Sequence, residues 1–320
     1  MLIAVSLILV GFVLLTISAE YTVMGSVAIA NKLKIPTLIV GLTIVAFGTS
    51  APEFVVSIKA AFEGASGIAL GNIVGSNITN IAFILGLAAL IHPILSKKPV
   101  FSFDYLMLFF VSALFLIFCL MGELVLWHGI VFILIMAGFI YFNYQDAKVS
   151  GEDPEDAVSS IAEKKWWFVI AVTALGFIGI IYGSDILVTG AVDLARLLGV
   201  SETIIGLTII ALGTSLPELA TSVMAAIRKQ NDVALGNIVG SNIWNILFII
   251  GASASFVNID VPVQLIRYDL WVMLGVAVFF MFLVWRQRKV SRAGGLALIF
   301  IYIVYIISQI LMAKGIFSIE

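Results

Sequence analysis

Charge is scarce in this sequence, and reactive side chains are scarcer. Of 320 residues, 17 are Lys or Arg, 19 are Asp or Glu, two are His and one is Cys. A charged fraction of 11% lies far below the roughly 25% of a soluble domain. With 62% hydrophobic residues and a mean hydropathy of +1.18, it excludes a water-soluble globular fold. A single cysteine, Cys119, excludes an intrachain disulfide and leaves a packing role. Neither histidine falls in a repeated motif, so a zinc or copper site has no ligands to draw on. The net charge of −2 says nothing about partners, and neither a nucleic acid nor a protein partner is implied.

Long apolar runs fill the space that charge leaves. A membrane-spanning helix needs about 20 apolar residues. Ten segments qualify, at 2–31, 36–60, 66–91, 103–121, 125–143, 166–197, 202–227, 232–256, 266–286 and 294–314. The expectation is an all-α integral membrane protein of ten transmembrane helices set in the lipid bilayer. The first segment lacks a basic start and a cleavage site, so it is expected to be retained. If the N-terminus lies outside and the spans alternate, 13 of the 17 Lys and Arg fall on the cytoplasmic side, among them Lys32, Lys34, Lys97, Lys98, Arg228, Lys229 and Arg288. Only Lys59, Arg196, Arg267 and Lys314 fall on the other. Such a bias sets orientation and predicts both termini outside.

The chain is written twice. Residues 36–86 and 201–251 align at a constant offset of 165 without a gap, and 29 of the 51 pairs are identical. Weaker matches extend upstream, Glu20 to Asp185 and Gly25 to Gly190. Five spans per copy is an odd number, so the second copy enters the membrane upside down relative to the first. That predicts two inverted five-helix repeats, 1–144 and 166–320, joined by a polar cytoplasmic linker at 145–165. The linker acids Glu152, Asp153, Glu155 and Asp156 lack the ligand alternation and central Gly of an EF-hand loop and read as a solvated connection. Trp166 and Trp167, after Lys164 and Lys165, are placed to anchor at the membrane–water interface.

Each copy carries a carboxylate inside a span: Glu53 in GTSAPE and Glu218 in GTSLPE. A charge at bilayer depth is costly and marks a functional site. Pro52 has no N–H for the Gly48 carbonyl, which predicts a break in the helix and freed carbonyls near Ala46 and, in the second copy, Ala211. Thr49, Ser50, Thr214 and Ser215 add hydroxyls. In the following span Asn72, Ser76 and Asn80 recur at every fourth position, as do Asn237, Ser241 and Asn245, giving one polar face in each copy. Gly71 and Gly75, with Gly236 and Gly240, fit close helix packing. Two such copies crossing would enclose carboxylate, amide, hydroxyl and carbonyl oxygens, which suits Na⁺ and Ca²⁺, while Mg²⁺ sheds its water reluctantly.

GTSAPE and GTSLPE, each followed by GNIVGSNI-x-NI, resemble the repeats of the calcium/cation antiporter superfamily, in particular its sodium/calcium exchanger branch in prokaryotic form. The likeness covers essentially the whole chain. It implies a non-enzymatic antiporter without a resident cofactor, binding Ca²⁺ and Na⁺ as substrates. Glu53 and Glu218 would be the shared central ligands. Thr49, Ser50, Thr214, Ser215, Ser76, Ser241 and the carbonyls of Ala46 and Ala211 would complete the ion sites, with Asn80 and Asn245 beside them. Many members of the family carry Asp where Asn80 or Asn245 stands, so K⁺ cotransport is in doubt here.

Other readings fit parts of the same pattern. A cation/proton antiporter would load H⁺ on the two acids, and a channel would pass cations without coupling. An intramembrane aspartyl protease built on Asp185 would need a second facing Asp and would leave the duplicated motifs unexplained. Within the exchanger reading, the long first and sixth spans are candidates for the moving gate.

Overall fold

The computed structural model describes residues 1–97, 102–150, 159–198, 209, 211–313 and 316. Eleven helices organise it. They are α1 (Leu2–Leu33), α2 (Thr37–Thr49), α3 (Ala51–Phe62), α4 (Ser66–Ile91), α5 (Phe103–Cys119), α6 (Leu126–Ser150), α7 (Trp166–Leu197), α8 (Leu216–Ile227), α9 (Asn231–Phe256), α10 (Leu265–Gln287) and α11 (Arg292–Ala313). A single turn, Ala211–Gly213, precedes α8.

Among the described residues, seven helices are long and apolar enough to cross a membrane, and an eighth span results if the bent pair α2–α3 counts as one. The bend is 51°. It falls at Ser50, just ahead of Pro52, where the sequence predicts a break. Two expected spans differ. The segment expected at 103–121 folds as α5, 17 residues long, because Gly122 turns the chain with a positive φ of 90°. The segment expected at 202–227 is described only from residue 209 onward, without residue 210, and contributes α8, 12 residues long. In the other direction, α6 continues past the expected boundary at 143 to Ser150, since no Gly or Pro stops it. The linker acids Glu152, Asp153, Glu155 and Asp156 lie outside the described residues.

The helices are not the whole of the secondary structure. Strand β1 (Ile94–Leu95) pairs antiparallel with β4 (Lys289–Val290), and β2 (Glu123–Leu124) with β3 (Ile259–Asp260). In each pair a loop of one half meets a loop of the other, and pairing satisfies backbone groups buried there. Ile94, Leu124, Ile259 and Val290 are fully buried.

At the centre stand α4 and α9, the most enclosed of the long helices. Gly236 and Gly240 let α9 press against α2: a Cβ at either would come within 2.6 Å of the Leu38 or Leu42 carbonyl oxygen. The indole of Trp244 then donates to the Leu42 carbonyl at 3.0 Å. No described atom would meet a Cβ at Gly71 or Gly75, and most of the matching segment 201–210 lies outside the described residues.

Outside this centre, α1 and α7 pack along their length and run antiparallel, since Ala4 meets Gly190, Leu15 meets Gly183, and Gly25 meets Thr173. Their apolar outward faces, including Leu9, Phe12, Ile17, Leu175 and Ile178, remain exposed, as lipid-facing surface must. Lys32 sits 5.5 Å over the ring of Trp166, so the end of α1 and the start of α7 share one side of the bundle.

Candidate functional site

Glu53 stands in the first turn of α3 and Glu218 in the first turn of α8. Each helix begins with Pro in its first turn, where a missing N–H costs nothing, and each carries its carboxylate in that turn, beside the positive end of the helix. Both side chains are fully buried.

The two copies exchange partners. Ser50, from the break in the first copy, donates to Glu218 Oε1 at 2.9 Å, while Ser215 lies 3.3 Å from Glu53 Oε1. Thr49 Oγ1 donates to Asn237 Oδ1 at 3.0 Å, and Thr214 Oγ1 to Asn72 Oδ1 at 3.3 Å. Within each copy, Ser76 reaches Glu53 Oε1 and Ser241 reaches Glu218 Oε1, both at 3.4 Å. Asn72 donates to Ser57 and Asn237 to Ser222, each at 2.9 Å, and each also approaches the backbone carbonyl of its glutamate at 3.4 Å. Ser215 and Ser76 close the ring at 3.2 Å.

Most hydroxyls elsewhere in the bundle behave differently. Thr22, Thr43, Ser112, Thr173 and Ser253 donate to the carbonyl four residues back on their own helices. Those of Ser50, Ser76, Ser215 and Ser241 cross to another helix, so the duplicated motif is more than helix-internal satisfaction.

One oxygen of each acid is spoken for, and the other is left over. Glu53 Oε2 and Glu218 Oε2 are buried with no hydrogen-bond partner, as are Asn80 Oδ1 and Asn245 Oδ1. A buried unpaired acceptor carries the full cost of desolvation unless a ligand meets it. Four such oxygens, in two pairs related by the repeat, are left able to accept from a ligand. No group of three or more His, Cys, Asp and Glu occurs among the described residues, so the acids act as a pair with neutral oxygens around them.

The break frees carbonyls around Ala46–Thr49 unevenly: that of Ala46 still accepts the Ser50 N–H at 3.0 Å and faces Thr49 Oγ1 at 3.3 Å. Pro52 withdraws its N–H from Gly48, not from Ala46, and the chain bends only after Thr49. At Gly48 a side chain would run into the ring of Phe177 on α7, so the hinge and the long helix touch there. Ala211 opens the turn Ala211–Gly213, and its side chain lies outside the described residues. Glu20 and Asp185 stand apart from the cage: Glu20 pairs with Arg228, and Asp185 is exposed.

Two features escaped the sequence reading. Ser57 and Ser222 follow the glutamates by four positions at the same offset of 165, and that shared spacing is their signal in the sequence. The second is a pair of π-helical stretches, Thr79–Leu85 and Asn245–Ile250, which widen α4 and α9 where Asn80 and Asn245 stand. No residue pattern announces them.

A cage of carboxylate, hydroxyl and amide groups enclosed by apolar helices and offering unpaired acceptor oxygens has the character of a membrane transporter of cations. Comparison with known proteins narrows the class. The family model for the sodium/calcium exchanger protein matches residues 3–145 and 168–311, and the chain belongs to that family. It is 36% identical over 315 residues to the putative antiporter CaxA of Alkalimonas amylolytica, covering 95% of this chain and 98% of that one. It is 30% identical over 346 residues to the sodium/calcium exchanger MaX1 of Methanosarcina acetivorans, covering 94% and 97%. A solved structure of the sodium-calcium exchanger NCX_Mj superposes with a TM-score of 0.83 at 28% identity, covering 96% and 99%.

Proposed function

We propose that this chain is a Na⁺/Ca²⁺ antiporter of the cell membrane, in which Na⁺ and Ca²⁺ compete for Glu53 and Glu218. The observation that carries the reading is the crosswise bonding of the two motifs, which leaves one oxygen of each buried carboxylate without a protein partner. Thr49, Ser50, Ser76, Thr214, Ser215 and Ser241 shape the cage, and Asn80 and Asn245 offer amide oxygens to it. Hard cations take such carboxylate, amide and hydroxyl oxygens in flexible numbers. Two ionised carboxylates balance one Ca²⁺ or two Na⁺, so occupancy by one ion excludes the other. The names of MaX1 and NCX_Mj agree with this choice of ions.

Alternating access follows from two inverted five-helix repeats forming ten spans, with both termini outside. The antiparallel course of α1 and α7 supports the inversion. Equivalent contacts at an offset of 165 support the duplication itself. The sites formed by broken helices near the middle of the membrane are those of secondary transporters. In this scheme α1 and α7 move as a pair across the remaining helices, which hold the cage.

The test is ⁴⁵Ca²⁺ uptake by proteoliposomes loaded with Na⁺ and diluted into Na⁺-free buffer, with choline-loaded and proton-gradient controls. Uptake should require internal Na⁺ and vanish in Glu53→Gln and in Glu218→Gln. Uptake that followed the proton gradient instead would replace Na⁺ as the coupling ion, and uptake without any counter-ion would indicate a channel.

A further inference from the structure

Beside the cage, and outside the set of residues assigned to it, three asparagines form a chain across the junction of α4 and α9. Asn77 Nδ2 lies 3.2 Å from the backbone carbonyl of Asn242, and Asn77 Oδ1 lies 2.9 Å from Asn245 Nδ2. Asn77 and Asn242 are 1% exposed, and Asn245 is fully buried.

The direction of this chain is dictated at one end. A backbone carbonyl only accepts, so the Asn77 group facing Asn242 must be its NH₂. Its oxygen then faces Asn245 and can be met only by the NH₂ of that residue. Asn245 is left with its Oδ1 as the unpaired end. The equivalent arrangement is missing in the other half. Asn242, the counterpart of Asn77, donates to its own helix at Ile238, 2.7 Å away, and Asn80 has neither Nδ2 nor Oδ1 bonded.

We propose that Asn77 is a positioning residue for ion binding: it holds the amide of Asn245 by the nitrogen and so presents the Asn245 oxygen, not its NH₂, to the cation. This rests on the cage being the ion site. A cation repels an NH₂ and binds a carbonyl oxygen, so the orientation of one amide decides whether Asn245 is a ligand or an obstacle. Asn77 itself touches no ion. The duplicated motif GNIVGSNI therefore specifies different tasks in its two copies, a clamp in the first and a helix-internal bond in the second.

The experiment is a double-mutant cycle on the full-length protein in proteoliposomes, reading the Ca²⁺ KM and maximal rate of Na⁺-driven ⁴⁵Ca²⁺ uptake for Asn77→Leu, Asn245→Ala and the pair. Loss of one properly oriented hydrogen-bonding oxygen predicts a Ca²⁺ KM raised about tenfold in Asn77→Leu, with the rate at saturating Ca²⁺ largely kept. The pair should match Asn245→Ala alone, because a clamp has nothing to hold once the amide is gone. Asn77→Ser covers the case in which Leu disturbs folding: its hydroxyl is small and polar but stops at the position of the Asn77 Cγ, short of both the Asn242 carbonyl and Asn245, and the same rise in KM is expected. Losses that multiply in the pair, or an unchanged KM in Asn77→Ser beside a raised one in Asn245→Ala, overturn the role. Intact uptake in Glu53→Gln, measured alongside, overturns the cage itself and identifies that as the failure.

Discussion

The hydroxyl of Ser50 donates to the carboxylate of Glu218, 168 positions downstream, at 2.9 Å, and the reciprocal contact from Ser215 to Glu53 is longer, at 3.3 Å. The two halves of the cage thus depend on each other for the orientation of their acids. The shorter bond is the stronger restraint, since charge-assisted O–H···O⁻ contacts gain as they approach their usual length.

Removing these hydroxyls should weaken Ca²⁺ binding without removing its charge. Ser50→Ala is expected to raise the Ca²⁺ KM by about tenfold, in line with the roughly 1.5 kcal/mol of a hydrogen bond to a charged group. Ser215→Ala should raise it less, because Ser215 divides its proton between Glu53 and Ser76. Uptake titrations over Ca²⁺ concentration in the two variants give the order. An equal effect, or a larger one in Ser215→Ala, would show that the contacts are equivalent.

The packing of α9 on α2 gives a prediction about stability. A Cβ at Gly236 would fall 2.6 Å from the Leu38 carbonyl oxygen and 2.8 Å from the Gly41 Cα, both backbone atoms that yield only if the helix moves. Gly236→Ala should destabilise the protein by about 1–3 kcal/mol, the usual cost of overpacking. Gly275, within α10, has no described atom within 4 Å of such a Cβ. There Ala should be neutral or stabilising, since Gly in a helix interior costs about 0.5–1 kcal/mol relative to Ala. Thermal unfolding in detergent, followed for both variants, separates the cases.

Much of this was written in the sequence, for identifiable reasons. Apolar length alone marks α1, α4, α6, α7, α9, α10 and α11, because water cannot satisfy a backbone inside lipid and a helix must. Pro52 and Pro217 mark the starts of α3 and α8 through a missing N–H. The repeat offset brings Glu53 and Glu218 forward together. What the sequence did not disclose is pairing between copies. The spacing of Ser50 and Glu53 places them on one helix face, yet the structure sends Ser50 to Glu218, since the partner is chosen by helix crossing and not by sequence distance. Asn77 and Asn242 are likewise indistinguishable in the motif. Their tasks diverge only where α4 and α9 meet, at Asn77 and the Asn242 carbonyl. The widened turns at Asn80 and Asn245 depend on tertiary packing, for which no local pattern exists.

The unequal surroundings of Asn80 and Asn245 should appear in function. Asn245 is held by Asn77, while Asn80 is fully buried with neither of its amide atoms bonded. A ligand free to rotate loses entropy when it binds an ion, and a fixed one does not. Asn245→Ala should therefore raise the Ca²⁺ KM more than Asn80→Ala, by about three- to tenfold if the clamp is worth one ordinary hydrogen bond. Paired Ca²⁺ titrations of uptake decide it, and the reverse order would make Asn80 the principal amide ligand.

The ion pair between Glu20 of α1 and Arg228, at the end of α8, bears on which helices move. Helix α1 packs along α8, whereas its counterpart α7 makes no comparable contact with α3, although both of those helices are described in full. Under the alternating-access proposal, that inequality would mark one access state, and the state open to the opposite side would exchange the two arrangements. Side-chain exposures of 36% at Glu20 and 52% at Arg228 make the pair itself weak, on the order of 0.2–1 kcal/mol, so it biases the movement and does not forbid it. A covalent tie at the same place should forbid it. Cysteines introduced as Glu20→Cys and Arg228→Cys, bridged by a short bis-methanethiosulfonate linker, should abolish Na⁺-driven Ca²⁺ uptake, and dithiothreitol should restore it. The native Cys119 is buried and should not take the reagent. Each single-cysteine variant should remain active with the linker present. Uptake that continued with α1 fastened to α8 would show that α1 stays fixed while ions cross, and the moving element would then have to be sought in the hinge at Ser50.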